Sequence, residues 1–197
     1  VNDESSLIDQ SLQGNTGAFG QLVQRHQDRL YNALVHLVGD RVEAEDIAQE
    51  AFVQAFLKLR TFQRQSAFYT WLYRIAFNNA VSRKRRKRLE VSIDQSREQS
   101  GLEPTDSGEA PGDRLLREEQ ARQVREGLAL LSDEHRAILV LREIEGCDYD
   151  AIAQILDINI GTVRSRLHRA RAHLREKLTS IRERDEGDRG GSAFANS

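Results

Sequence analysis

The chain is poor in the residues that several architectures depend on. It has one cysteine, Cys147, in 197 residues. A single thiol excludes an intrachain disulfide framework and a cysteine-based metal cluster, and it suits a reducing compartment. There are two prolines, Pro104 and Pro111, and they lie close together. No apolar run approaches the ~20 residues needed to cross a bilayer. The opening stretch VNDESSLIDQ carries acids where a secretory signal would carry cations. No stretch alternates as a strand does, and no Asn-Gly or Asp-Gly turn joins two alternating runs. Glycine-rich phosphate loops, HExxH and a local Ser/His/Asp grouping are also missing. The histidines at 26, 36, 135, 168 and 173 are scattered. These absences leave a soluble, cytoplasmic, helical chain, expected to be no enzyme, to hold no metal and no cofactor, and to insert in no membrane.

What is present is charge, and it is segregated. The net charge is only −2, although 30% of the residues are charged. Residues 40–50 hold five acids and one base, and residues 60–90 hold nine bases and one acid. Residues 90–119 are acidic again, with nine acids to three bases, and residues 161–178 hold six bases and one acid. Two separate basic segments can each act on a polyanion whatever the total charge. The densest is RKRRKR at 83–88, which follows the aromatic stretch AFYTWLYRIAFNN at 67–79. Aromatic surface beside cations suits unpaired bases next to phosphates.

Both prolines fall in DQSREQSGLEPTDSGEAPGD, which is nearly free of apolar residues. Such a stretch cannot bury enough surface to order itself, so 91–112 is expected to be a flexible linker. It divides the chain into a domain at 1–90 and a domain at 113–183. The polar stretch from 184 to 197 is expected to be a disordered tail.

Both domains read as all-α. In the first, Phe19, Leu22, Val23, Leu30, Leu34 and Leu37 recur at helical spacing, with Thr16 as a cap and Gly39 as a stop. The sequence DRVE at 40–43 has the capping-box pattern and opens a helix with Ile47, Ala48, Ala51, Phe52, Ala55, Phe56 and Leu59 on one face. RTFQRQ at 60–65 breaks the period and reads as a loop before the aromatic helix. In that helix Leu72 and Ile75 read as core. Tyr69, Trp71 and Tyr73 cannot all face inward, so at least one is expected at the surface; which one is left open.

The second domain shows four helical segments, and the last two carry the most information. Asp148 is placed to cap the third. In the fourth, Val163, Leu167, Ala170, Leu174 and Leu178 form a buried stripe, and only DINIG separates it from the short helix before it. That is helix-turn-helix spacing, in which the second helix enters a major groove. Arg164, Ser165, Arg166, His168, Arg169 and Arg171 decorate the rest of its surface. Arginine can pair with guanine O6 and N7, and the remaining cations can hold phosphate.

These residues resemble a family. DYDAIAQILDINIGTVRSRLHRARAHL is similar to region 4 of the extracytoplasmic-function (ECF) sigma factors of bacterial RNA polymerase, within the sigma-70 superfamily. AEDIAQEAFVQAFLKLRTF followed by SAFYTWLYRIAFNNA is similar to their region 2. The resemblance implies two helical domains, a four-helix region 2 and a helix-turn-helix region 4. It implies core polymerase as partner, through the β′ clamp helices and the β flap, and promoter DNA as target. It carries core docking to Asp46, Gln49 and Glu50. It carries −10 recognition and melting to Phe62, Gln65, Ser66 and Asn78, with Arg83, Lys84, Arg85 and Arg86 on the adjoining backbone. It carries −35 recognition to Thr162, Arg164, Ser165, Arg166, His168, Arg169 and Arg171. It further implies an anti-sigma factor as partner and a monomer when free. Three departures stand out: Asn159 lies near a position where a proline is common, Ser132 replaces a proline before the second helix of region 4, and His168 replaces an apolar residue. The alternative from another class is a self-contained DNA-binding regulator with a helical sensor domain, which would need neither the acids of 43–50 nor a single-strand pocket.

Overall fold

The computed structural model describes residues 3–91 and 111–192. The expected linker lies almost wholly outside the described residues, as does the end of the expected tail. The described part is all-α. The first domain has α1 (Glu4–Leu12), α2 (Thr16–Val38), α3 (Arg41–Lys58) and α4 (Phe68–Val91), with a 3-10 turn at Leu59–Thr61. The second has α5 (Pro111–Ala129), α6 (Asp133–Leu139) running into a π-helical turn at Val140–Ile144, α7 (Tyr149–Leu156) and α8 (Ile160–Ser192).

The helix ends follow local chemistry. Asp40 accepts from the amide of Glu43, Ser132 from that of His135 and Asp148 from that of Ala151. Each satisfies an amide that the first turn leaves without a partner. Gly39 closes α2 in the left-handed conformation at φ 80°, which suits a residue without Cβ. The cap of α2 is Asn15 and not Thr16, the first residue of the helix: Asn15 accepts from the amide of Ala18 at 3.1 Å. Helix α1, which has no counterpart in the sequence analysis, buries Leu7 and Ile8 against α2.

In the first domain α3 presents Ala44, Ala48, Ala51 and Ala55 with Ile47 and Phe52 to its neighbours. Small residues let α3 lie close between α2 and α4. Phe56, expected on the same face, is 42% exposed and meets Phe19 only edge-on, with centroids 5.0 Å apart. In the second domain α8 is the spine, with Val163, Leu167, Ala170 and Ile181 buried. A Cβ on Gly127 of α5 would stand 3.1 Å from side-chain carbons of Leu174 and Leu178, so α5 and α8 pack closely there and a larger residue would require both leucines to shift. Helix α8 also runs past residue 184, where a tail was expected. Arg184 pairs with Glu126 at 2.8 Å, and Asp185 pairs with Arg122 at 2.6 Å, so both are held against α5.

The two domains touch. Helix α7 packs on α4, and the π turn packs on α2. This contact resolves the aromatic question. Tyr69 and Tyr73, one turn apart on α4, are both buried, and Trp71 is half-buried.

Candidate nucleic-acid and polymerase interfaces

Helix α3 exposes a continuous stripe. Val42, Asp46, Gln49, Val53 and Leu57 recur at steps of three and four, which places them on one face. Val42, Val53 and Leu57 are more than half exposed. Isolated exposed apolar residues are ordinary, but here three share one row with an acid and an amide. Asp46 and Gln49 are the two members of this stripe expected from sequence to dock core polymerase; the sequence does not single out Val42, Val53 and Leu57.

Glu50 stands apart from that stripe. Its carboxylate accepts from Arg83 at 3.0 Å and from Gln54 at 3.1 Å. Arg83 also reaches Asp46 at 3.3 Å. Gln54 in turn donates to Asn79 at 3.1 Å, so the network ties α3 to α4. Desolvation works against the charge of the Arg83 guanidinium, but the hydrogen bonds it donates to Glu50 and Asp46 outweigh it and hold the group more firmly charged. An acid expected to face a protein and a cation expected to face DNA are therefore bound to each other. Lys87 likewise pairs with Glu43 at 2.7 Å, and Lys84 with Asp133. Arg85 and Arg86 are exposed.

The loop after α3 forms a cleft of about 300 Å³. Phe62, Gln65, Ser66, Trp71 and Arg74 line it, with Gln154 of α7 on the far side. Phe62, Phe68 and Trp71 pack as an aromatic triangle, with centroids 5.2 to 5.8 Å apart. The loop is pinned by Arg64, which adopts φ 57° and donates to Ser5 at 3.0 Å and to Asp9. An apolar wall, hydroxyl and amide groups, and a cation in one open cleft can receive an unstacked base. Asn78 is exposed two turns beyond Trp71 on α4 and does not line the cleft.

On α8 the geometry begins at Asn159. Its side chain accepts from the amide of Thr162 at 2.8 Å and from the Thr162 hydroxyl at 3.0 Å. Asn159 thus caps the recognition helix where a proline is common. Asp157, at φ 54°, makes the left-handed turn between α7 and α8. Arg164, Ser165, His168 and Arg169 are exposed on the first turns, and Arg169 Nε donates to the carbonyl of Ser165 at 3.3 Å. Arg166 pairs with Glu134 at 3.0 Å, and Arg171 with Glu143 at 2.7 Å. His173 meets His135 of α6, Nδ1 to Nδ1, at 3.1 Å. Burial first, then His173, Arg169 and Arg166, hold the His135 pKa below its ordinary value.

Arg136 is a further residue that the sequence analysis misses. It is buried, and its guanidinium donates to the carbonyls of Leu128 at 2.8 Å, Ala129 at 2.7 Å, Leu131 at 3.3 Å and Leu37 at 3.2 Å. It sits where α5 and α2 end, so one cation serves the negative ends of two helices in two domains. Among the described residues no group of three or more His, Cys, Asp or Glu could hold a metal ion, and no helix is long and apolar enough to cross a membrane.

Comparison with known proteins agrees with this geometry. Residues 22–90 match the family model for sigma-70 region 2, and residues 121–174 match that for sigma-70 region 4. The chain is 37% identical to the RNA polymerase sigma-H factor of Pseudomonas aeruginosa, over 90% of this chain and 95% of that one. It is 34% identical to the ECF RNA polymerase sigma factor SigW of Bacillus subtilis, over 88% and 96%. Among solved structures it resembles the sigma factor RpoE of Bartonella quintana in complex with the anti-sigma factor NepR, at TM-score 0.69 and 26% identity, over 82% and 96%. It also resembles CnrH in complex with the cytosolic domain of CnrY, at TM-score 0.63 and 28% identity, over 88% and 96%. The chain belongs to the ECF sigma factors of the sigma-70 family. Its function is therefore promoter recognition for RNA polymerase, with the first domain as region 2 and the second as region 4.

Proposed function

We propose the following division of that function among residues. The exposed stripe of α3 docks on the β′ clamp helices, with Asp46 and Gln49 as polar contacts and Val53 and Leu57 as the apolar centre. Glu50 acts from behind, by fixing Arg83. The cleft at Phe62, Gln65 and Ser66 receives a base of the −10 element, Asn78 meets the strand further along α4, and Arg85 and Arg86 hold the backbone. Thr162, Arg164, Ser165, His168 and Arg169 read the −35 element. Arg166 and Arg171 reach phosphate on release from Glu134 and Glu143. Region 4 also contacts the β flap. The chain works in the cytoplasm without a cofactor, is monomeric when free, and is restrained by an anti-sigma factor. The similarity to a sigma factor crystallised with an anti-sigma factor supports that last assignment.

The observation that carries the −10 assignment is the cleft, because it sets Phe62 and Trp71 beside Gln65, Ser66 and Arg74. Unstacking a base costs a few kcal/mol, and stacking on an aromatic returns about 1–3 kcal/mol. Phe62→Ala should spare core binding and −35 binding yet reduce open complex by roughly ten-fold, the equivalent of ~1.4 kcal/mol. Permanganate reactivity of −10 thymines on linear and pre-melted templates measures this. Melting of the linear template at the wild-type level would return the triangle to a purely structural role.

A further inference from the structure

Two histidines meet on the second domain, apart from the residues given to polymerase or to DNA. His135 stands in the first turn of α6 and His173 on α8. They are 38 residues apart in sequence, so no ligand spacing marks them and the sequence points to no metal. Their Nδ1 atoms are 3.1 Å apart. Their ring centroids are 4.8 Å apart, with the planes at 70°. His173 is exposed and His135 half-buried, so the pair opens to water.

Two arrangements of such a pair differ in the distance between the rings. In a straight hydrogen bond one Nδ1–H points along the line to the lone pair of the other ring. Nitrogens 3.1 Å apart would then hold the centroids about 5.4 Å apart. The observed 4.8 Å is shorter, so the rings are angled to one another, as two ligands of one ion are. Zinc binds imidazole nitrogen at about 2.05 Å. An ion at that distance from both Nδ1 atoms would see them at an angle of about 98°, between the square-planar and tetrahedral values. Rings bound in this way would hold their centroids about 4.8 Å apart.

The ligands select the class of cation. Neutral imidazole suits zinc, nickel and copper, whereas magnesium and calcium take oxygen ligands. Only two protein ligands meet, so water completes the shell, and the site is exchangeable rather than structural. Glu134, the residue before His135, pairs with Arg166 at 3.0 Å. Arg166 and Arg169 both act on His135, and their charge opposes a dication. Half the free energy of a four-ligand zinc site, less that repulsion, corresponds to a Kd on the order of 10–100 µM. Two other soft donors do not compete. Burial pushes the Cys147 thiol up to about 11, so it keeps its proton at neutral pH. His26 is committed to Glu4 at 2.9 Å.

We propose that His135 and His173 form a two-ligand site for a divalent transition-metal cation of the zinc, nickel and copper class, whose occupancy ties the start of α6 to the recognition helix. His173 lies two turns beyond Arg166 on α8, so the cation adds a second cross-link beside the pair of Arg166 with Glu134. The stability of the second domain then depends on the free concentration of the cation. The site does not depend on the sigma-factor reading, because it is measured without polymerase or DNA.

The test is calorimetric titration of zinc chloride into the untagged full chain at pH 7.5, with magnesium chloride as the hard-cation control. The wild type should take up one zinc per chain, and magnesium should give no binding heat. His135→Ala and His173→Ala should each weaken zinc binding by at least about ten-fold, as expected when one of two ligands is lost. Cys147→Ser should leave it unchanged. Thermal unfolding followed by circular dichroism gives the second measurement. Without metal both histidine variants should melt close to the wild type, since the pair lies at the surface. Zinc at about ten times its Kd should raise the wild-type Tm by a few degrees and that of either variant by much less. Zinc binding that survives both substitutions, or no uptake below about 1 mM, would overturn the site. Uptake that is lost with the histidines but never raises the Tm would overturn the cross-link.

Discussion

The two basic helices put their cations to opposite use. The run at the end of α4 is the denser, six cations in succession at 83–88. Yet Arg83 is bound by Asp46 and Glu50, Lys84 by Asp133 and Lys87 by Glu43. On α8 a buried stripe turns the other faces outward. Arg164, Ser165 and Arg169 stand exposed on the first turns, while Arg166 and Arg171 are tied at the flanks. A run of charge places cations all round a helix, and some must meet neighbouring acids. A stripe assigns each cation a direction. Density of charge therefore does not measure how much of it is available to DNA.

The largest effect should come from α8. An arginine paired to guanine is worth about 1–3 kcal/mol of discrimination, so Arg169→Ala or Arg164→Ala should weaken −35 binding by about 10- to 100-fold and relax its sequence preference. Arg86→Ala should weaken all sequences alike, and by less. Anisotropy of a labelled −35 duplex with holoenzyme would measure both. Equal and uniform losses would erase the distinction between the helices.

Next in size is the salt response. Arg85→Ala with Arg86→Ala should lower the log–log salt slope by about 2, since each phosphate contact contributes about 0.9. Arg83→Met should change it far less, because its guanidinium is already held. The complementary effect is on folding. Arg83→Met should destabilise the chain by about 1 kcal/mol, a value kept small by the partial exposure of the pair, while Arg86→Met should leave denaturation unchanged. A stable Arg83→Met protein with a large loss of DNA binding would show that Arg83 belongs to the DNA surface after all.

The smallest effect should be on pH dependence. Burial holds His26, His36 and His135 below the ordinary histidine value, and for His26 it outweighs the attraction of Glu4. The unfolded chain then takes up protons first as pH falls. Stability should be complete above about pH 6.5 and should decline below it, through the lowered native values. His135 lies beside Arg166 and Arg169, so its charging adds repulsion near the recognition helix. Urea denaturation at pH 7.5 and 5.0 tests the sign; stability that rises on acidification would refute it.

What the sequence shows and what it hides divide by range. Caps at Asp40, Ser132 and Asp148, the stop at Gly39 and the stripe of α8 involve residues within a turn or two, and each has a compositional signature. The role of Asn15, one position before the expected cap, turns on a single hydrogen bond that Thr16 could equally have offered. Helix α1 is short and takes its order from packing on α2. Arg136, Glu145 with its partner Arg29, and the pair of Arg83 with Glu50 join residues 33 to 116 positions apart. Nothing periodic marks such partners. Tyr69 and Tyr73 show the same limit. A single amphipathic helix has one face to bury, but α4 has a second domain against it, and so buries two.

The π turn at Val140–Ile144 gives the region 4 half an unusual sensitivity to length. Its bonds run from Glu145 back to Val140 and from Cys147 back to Leu141, one and two residues wider than an α-helical turn. A helix advances about 100° per residue, so the added residue decides which way Glu145 faces. Loss of one residue from 140–144 would swing the carboxylate away from Arg29 while leaving the composition of the segment almost unchanged. Insertions and deletions, more than substitutions, are therefore the mutations by which evolution could retune how the two halves meet. Relatives that differ in length at this turn should differ in whether their halves associate at all.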